Sequence, residues 1–192
     1  MLSELYQTIE DRSNADYIKE NGPFCCERKD AWLGKGYYYW DSFVENAHLW
    51  GKKIYTKNNK NYIVCLSKVD LNDNVYDLLN PSVLLEFKQA AEGLSKAYPD
   101  KNITVTVVLE QLKKQSDFTY KAIRVRSEDD MSCFKQKTSF KEKHKAYLDT
   151  CPHIQVCVLD KTFIGDNNFK IIFPSVYCDD YVNVSSTNYK CL

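Results

Sequence analysis

The amino-acid sequence lacks an excess of charge of either sign. Lysine and arginine together number 26, and aspartate and glutamate also number 26, so the formal net charge is zero. Without a net charge, no long-range field draws the chain to nucleic acid or to an anionic membrane. Any site for a polyanion must therefore depend on a local cluster of basic residues.

The sequence also lacks the features of secreted, membrane-spanning and zinc-binding proteins. Its N-terminus has no basic segment followed by an apolar run, and no stretch is apolar over enough residues to span a bilayer. The eight cysteines form no C-x-x-C pair and no Cys/His set with zinc spacing. We therefore expect a soluble, cytoplasmic protein with no metal and no membrane association.

Glycine is scarce, with six residues, and the two glycine-rich phosphate-binding motifs are missing. Neither G-x-G-x-x-G nor G-x-x-x-x-G-K-[ST] occurs. Gly34 and Gly36 precede a predicted strand, whereas a phosphate-binding loop requires the N-terminus of a following helix. A dinucleotide-binding fold of that type and a P-loop are both excluded. The three histidines show no catalytic-triad or metal spacing.

The local patterns predict one α+β domain that spans residues 1–192. Residues 103–115 fit a strand or a helix equally well, because their threonines and valines favour a strand and their second half favours a helix. Residues 127–145 are polar, which indicates an exposed loop or a solvated helix. The predicted strands are Leu2–Thr8, Tyr37–Tyr39 and the runs 61–69, 153–159 and 168–173. The predicted helices are one from the cap Ser13 to Gly22, one capped by Asp41 or Ser42, and one that begins at Pro81 after the cap Asn80.

The stretch LGKGYYYWD, residues 33–41, contains four consecutive aromatic residues behind two glycines. One interpretation is a core strand whose two faces are both filled by aromatic rings. The other is a surface that holds a flat ligand by stacking. On the helix predicted to follow, Trp50 is expected to belong to the core.

The longer segment LGKGYYYWDSFVENAHLW resembles the second motif of ADP-ribosyltransferases of the diphtheria-toxin and poly(ADP-ribose) polymerase type. The first motif of that family is a Tyr-His-Gly signature, and ELYQT stands in its place, with Tyr6 fitting, Gln7 replacing the histidine and Thr8 the small residue. The third motif resembles HIQVCVLDKTFI, in the form that carries glutamine at Gln155. The residues that match the second motif are Gly34, Lys35, Gly36, Tyr38, Tyr39, Asp41 and Ala47.

The resemblance implies an ADP-ribosyltransferase-like fold, with two small antiparallel sheets that face each other across an NAD cleft and with helices outside. It implies NAD as the substrate and the catalytic residues Gln7, Tyr38 and Gln155. Tyr38 would stack on nicotinamide, Gln7 and Thr8 would position the adenosine ribose and the carboxamide, and Gln155 would support the transition state. The residues implied to bind NAD are Tyr6, Thr8, Gly34, Gly36, Tyr37 and Tyr39.

The function that the resemblance implies is mono-ADP-ribosyl transfer from NAD to a macromolecular acceptor, either protein or nucleic acid. The setting would be a microbial toxin, an effector or a phage-defence component. Glutamine brings no negative charge to the third motif, unlike glutamate. Two alternatives therefore stay open: a degenerate module that binds a nucleotide or a protein without chemistry, and an NAD glycohydrolase in which water replaces the acceptor.

Overall fold

A computed structural model of the chain describes residues 1–127, 137–139, 147–166 and 168–178. These residues form nine strands, four α-helices and short 3-10 helices at Thr56–Asn58, Lys161–Phe163 and Ser175–Tyr177. The strands are β1 (Leu2–Asp11), β2 (Tyr37–Asp41), β3 (Asn61–Asp70), β4 (Val75–Asp77), β5 (Ala122–Arg126), β6 (Lys137–Ser139), β7 (Tyr147–Asp149), β8 (Ile154–Val158) and β9 (Lys170–Phe173). The helices are α1 (Ala15–Asn21), α2 (Val44–Ile54), α3 (Pro81–Ala97) and α4 (Val105–Leu112).

Seven strands form one mixed sheet in the order β4-β5-β8-β2-β1-β3-β9, and β6 pairs with β7 in a separate two-stranded sheet. The predicted α+β class is confirmed. The expected pair of small facing sheets differs from what the described residues form, and the reason is the strand β1. It pairs with β3 along all of its residues and with β2 at Leu5 and Tyr6, so it joins the two groups of strands into one sheet.

The start of α3 follows the predicted pattern. Pro81 occupies the first turn, and the side chain of Asn80 accepts a hydrogen bond of 3.0 Å from the backbone N–H of Ser82. The ambiguous residues 103–115 contain the helix α4, which Thr104 caps. These residues form a helix because Val108 and its neighbours at helical spacing bury one face against the sheet.

Two of the predicted helix caps are wrong. Ser13 has φ +56°, and α1 begins at Ala15 without a side-chain cap. The cap position of α2 is Phe43, because β2 continues through Asp41 and Ser42 then takes φ +62°. The Asp41 carboxylate is fully buried and binds another strand instead of the helix N-terminus.

The helices divide the sheet into two differently covered faces. On one face α1 packs over a cluster that includes Leu5, Tyr39 and Val156. On the other face α2 covers β1 and β3, while α3 and α4 cover the end that β4 and β5 form. The space between α2 and the α3–α4 pair leaves the centre of this second face open, which is where the candidate site lies.

Some predictions fall outside the described residues. Of the polar region 127–145, only Ser127 and the strand Lys137–Ser139 are described, and residues 179–192 are also outside. A single domain over residues 1–192 therefore stays a prediction. None of the helices within the described ranges is long and apolar enough to cross a membrane.

Candidate functional site

A cavity of about 830 Å³ lies on the sheet face between α2 and the α3–α4 pair. Its floor crosses four neighbouring strands, β5, β8, β2 and β1. One wall comes from α2, the opposite wall from α3 and α4, and a further wall from the loop that precedes the glycines. The wall residues include Trp50 and Ile54 on α2, Leu84 and Phe87 on α3, Val105 on α4, and Ala31 and Trp32 in the loop.

Two of the predicted catalytic residues, Tyr38 and Gln155, lie on neighbouring antiparallel strands. Trp40 is directly opposite Gln155 in the register, and Tyr38 is two residues before Trp40 on β2. Since alternate residues of a strand share a face, Tyr38, Trp40 and Gln155 all point to the face that carries the cavity. All three line it.

Tyr38 lines the cavity, but its hydroxyl forms hydrogen bonds with the main chain of the glycine loop. The hydroxyl donates to the carbonyl oxygen of Gly34 at 2.9 Å and accepts from the backbone N–H of Leu33 at 2.9 Å. Burial of the side chain raises its pKa well above the ordinary tyrosine value. The hydroxyl therefore stays protonated at neutral pH and acts as an anchor for the glycine loop.

The Gln7 amide bridges the point where β1 and β2 separate. Its nitrogen donates to the carbonyl oxygens of Phe24 at 2.9 Å and Tyr38 at 3.4 Å, and its oxygen accepts from the Phe24 N–H at 2.9 Å. Thr8 donates its hydroxyl proton to the carbonyl oxygen of Ala47 on α2 at 2.8 Å. Gln7 and Thr8 both line the cavity, but their donor hydrogens are engaged by the protein's own main chain.

The other residues that the resemblance implies are dispersed. Tyr6, Gly34, Gly36 and Tyr37 do not line the cavity. Tyr6 donates its hydroxyl to Glu4 at 2.7 Å, and Gly34, with φ +85°, forms the turn that Tyr38 anchors. Tyr39 contributes to the lining, although its side chain is 1% exposed and belongs to the cluster on the opposite face.

Gly36 has a packing role that depends on its lack of a side chain. A Cβ atom there would lie 2.5 Å from the sulfur of Cys157 and 2.8 Å from the carbonyl oxygen of Val158. Its backbone also pairs with Cys26, which holds the loop after α1 against the start of β2. The glycine is thus required by the close approach of β8.

The contact between Trp32 and Gln155 was not predicted from the sequence. The indole nitrogen of Trp32 donates to the side-chain oxygen of Gln155 at 2.8 Å. Only Leu33 separates Trp32 from Gly34 in the sequence, and this proximity is the signal that could have identified Trp32 as a site residue. Trp50, expected in the core, is half-buried; its ring centroid is 6.2 Å from that of Trp40, and it lines the cavity.

Two arginines bring positive charge to the cavity, Arg126 at the β5 side and Arg28 in the loop before Trp32. Arg126 pairs with Asp149 at 2.8 Å, and Arg28 pairs with Asp30 at 3.4 Å. Arg28 and Arg126 both line the cavity, as does Asp30. The cavity therefore combines aromatic walls with cations that can meet an anionic part of a ligand.

The Cys25 thiol, which lines the cavity, is a poor nucleophile. Burial raises the pKa of the Cys25 thiol above its ordinary value, although the nearby Lys35 acts in the opposite direction. The thiol is therefore protonated at neutral pH, and the thiolate is the reactive form. Within the described part of the chain, no group of three or more His, Cys, Asp and Glu side chains is arranged to hold a metal ion.

Comparison with protein-family models, with curated proteins and with solved structures gives no significant match to this chain.

Proposed function

We propose that the protein binds NAD in this cavity and transfers the ADP-ribosyl group to a macromolecular acceptor. The observation that carries the proposal is that Tyr38 and Gln155, which are far apart in the sequence, line one cavity together with Gln7 and Thr8. These four residues belong to the three separate motifs of the ADP-ribosyltransferase resemblance. Motifs that serve one substrate must meet at one site, and this arrangement satisfies that requirement.

The size and chemistry of the cavity suit a dinucleotide. Its volume of about 830 Å³ lies within the usual range for small-molecule and cofactor sites. The rings of Tyr38, Trp32 and Trp50 offer faces for the two flat ring systems of NAD. The guanidinium groups of Arg28 and Arg126 match the charge and geometry of its pyrophosphate.

In the proposed reaction the bond between nicotinamide and ribose breaks, and nicotinamide leaves with the bonding electrons. A nucleophilic atom of the acceptor forms the new bond to the same ribose carbon and loses its proton to solvent. Positive charge develops on the ribose, so orientation and electrostatics provide most of the catalysis. Tyr38 holds the nicotinamide ring, and Gln155 binds the adjoining ribose.

A binding module without chemistry is the second candidate, and one observation favours it. Gln155 is neutral, and its side-chain oxygen already accepts a hydrogen bond from Trp32. It therefore adds no negative charge next to the developing positive charge on the ribose. NAD that is bound but not consumed would identify this case.

The proposed location is the cytoplasm, where NAD and a reducing thiol pool are both available. The six described cysteines are Cys25, Cys26, Cys65, Cys151, Cys157 and Cys178, and all six are free thiols. Free thiols persist in a reducing compartment. The acceptor, protein or nucleic acid, is left for the assay to identify.

The test incubates the purified protein with NAD labelled in its adenylate group and with a whole-cell extract. Portions are then treated separately with protease, RNase and DNase. We expect a labelled macromolecule whose label is released by one of these three treatments. The enzyme that releases the label identifies the acceptor as protein, RNA or DNA. Tyr38→Ala is the control and should label nothing while keeping the wild-type circular dichroism spectrum.

Other outcomes of the same assay separate the remaining candidates. Free ADP-ribose without a labelled macromolecule would identify a glycohydrolase. NAD that binds but remains intact in several extracts would identify the binding module. Full labelling by Tyr38→Ala would reject the assigned site, and an absence of both NAD binding and turnover would reject the proposal itself.

A further inference from the structure

The hydrogen bond between Trp32 and Gln155 fixes the orientation of the Gln155 amide. The two heavy atoms are 2.8 Å apart, which is a normal hydrogen-bond length. An indole N–H is only a donor, so the atom that faces it must be the amide oxygen and not the amide nitrogen. The donor-only chemistry of the indole thus determines which end of the Gln155 amide faces Trp32.

The loop that carries Trp32 is tied down from two sides. Thr106, on α4, donates its hydroxyl proton to the carbonyl oxygen of Trp32 at 2.8 Å. The next residue, Leu33, is fully buried; its carbonyl oxygen accepts from Lys113 at 3.1 Å, and its N–H is held by Tyr38. The indole therefore faces Gln155 from a fixed position.

Because its oxygen is turned toward Trp32, Gln155 directs the two N–H groups of its amide nitrogen to the cavity. The structure places no hydrogen-bond partner on this nitrogen within the described residues, and Gln155 lines the cavity. The donor hydrogens of Gln7, Thr8 and Tyr38 are all taken by main-chain oxygens. Among these four residues, Gln155 alone has a donor left for a ligand.

We propose that Trp32 is a specificity-determining residue, which acts by turning the N–H groups of the Gln155 amide toward the ligand. The cavity then selects a ligand with an acceptor oxygen at this point, such as a carbonyl, ether, phosphate or hydroxyl oxygen. It does not require the ligand to donate a proton there. The orientation of the amide is independent of the proposed function; only the choice of NAD as the ligand rests on it.

The first test observes the hydrogen bond without any ligand. In protein labelled with nitrogen-15, the indole signal of Trp32 is identified by its loss in Trp32→Phe. We expect its proton to exchange slowly with solvent, and to exchange faster and shift upfield in Gln155→Leu, which removes the acceptor at similar volume. An indole signal that is unchanged in Gln155→Leu would overturn the proposal.

The second test compares the dissociation constants of NAD and of an analogue with fluorine in place of the 2′-hydroxyl of the nicotinamide ribose. Fluorine can accept a weak hydrogen bond but cannot donate one. In Gln155→Glu, Trp32 binds one carboxylate oxygen and the other faces the ligand as an acceptor. The dissociation constant of the fluorine analogue divided by that of NAD should then exceed the same ratio in wild type by about tenfold or more.

Trp32→Phe keeps the aromatic ring and releases the amide, so its ratio should lie between those of the wild type and Gln155→Glu. Equal ratios in wild type and Gln155→Glu, with NAD binding intact, would overturn the proposal and leave the NAD site standing. If NAD binds to none of the proteins, the proposed function fails, and the indole signal still decides whether Trp32 orients Gln155.

Discussion

The hydroxyl group of Tyr38 lies 2.9 Å from the carbonyl oxygen of Gly34, to which it donates a hydrogen bond. The Tyr38 hydroxyl oxygen also accepts a hydrogen bond of 2.9 Å from the backbone N–H of Leu33. Tyr38 thus has two separate contributions: its hydroxyl holds the loop that carries Trp32, and its ring lines the cavity. Variants that remove only the hydroxyl distinguish the first contribution from the second.

Tyr38→Phe is expected to destabilise the protein by about 1–3 kcal/mol, because the buried Leu33 N–H and the Gly34 carbonyl lose their partner. Urea unfolding followed by circular dichroism measures the change. The control is Tyr17→Phe, since the side chain of Tyr17 is exposed. A Tyr38→Phe protein as stable as this control would show that the loop does not depend on the hydroxyl.

The buried pair of Asp41 and Arg124 supplies a second prediction. Asp41 is fully buried, and Arg124 approaches the same carboxylate oxygen with two nitrogens, each at 2.7 Å. Arg124→Met leaves this carboxylate without its cation, which should lower the unfolding free energy by about 3–5 kcal/mol.

The matched control is Arg12→Met, because Arg12 pairs with Glu10 at 3.0 Å while its side chain is 72% exposed. Exposed pairs contribute about 0.2–1 kcal/mol, so this variant should remain close to wild type. Equal losses in the two variants, measured by urea unfolding, would contradict the importance of burial at Asp41.

Two glycines provide a matched test of close packing. A Cβ atom at Gly36 would collide with Cys157, whereas a Cβ atom at Gly93, inside α3, would meet nothing within 4 Å. Gly36→Ala should destabilise by about 1–3 kcal/mol through overpacking. Gly93→Ala should stabilise by about 0.5–1 kcal/mol through helix propensity. Thermal unfolding of both variants checks the opposite signs.

His48 should make stability depend on pH. Burial lowers the pKa of its imidazole below the ordinary 6.5, and the nearby Lys52 acts in the same direction. The unfolded chain therefore binds a proton at a higher pH than the folded chain does. Stability contributed by His48 is complete above the unfolded pKa and is lost as the pH falls through it toward the folded pKa.

The check measures the free energy of unfolding of wild type and His48→Gln between about pH 7 and about pH 5. Wild type should lose more stability over this window than His48→Gln does. Parallel curves for the two proteins would mean that His48 has the same pKa in the folded and unfolded chain.

The sequence predicted the elements whose signals are local. Asn80 and Pro81 begin α3 as expected, and the two glycines stand before a strand, because capping and strand alternation depend on neighbouring residues. The sequence does not decide between strand and helix for α4, because its valines favour a strand in isolation. Only burial against the sheet favours the helix. The Asp41 cap was wrong because the residue that binds it, Arg124, is distant in sequence.

Only part of the candidate site could be predicted from the sequence, because some of its contacts join distant segments. Strand alternation placed Tyr38 on one face, and the resemblance joined it with Gln155, which the register of β2 and β8 brings to the same face. The hydrogen-bond partners of the polar side chains at the site could not be predicted from the sequence. The Gln7 amide bonds to Phe24 and the Gln155 oxygen bonds to Trp32, and both contacts depend on how distant segments pack.

The most direct test of the account is a calorimetric titration of NAD into wild type, Tyr38→Phe and Tyr38→Ala. The account predicts one NAD site per chain in wild type and in Tyr38→Phe, which keeps the ring. It predicts loss of that site in Tyr38→Ala, with the circular dichroism spectrum unchanged. The absence of NAD binding to wild type, or equal binding to all three proteins, would contradict the claim that Tyr38 forms part of an NAD site.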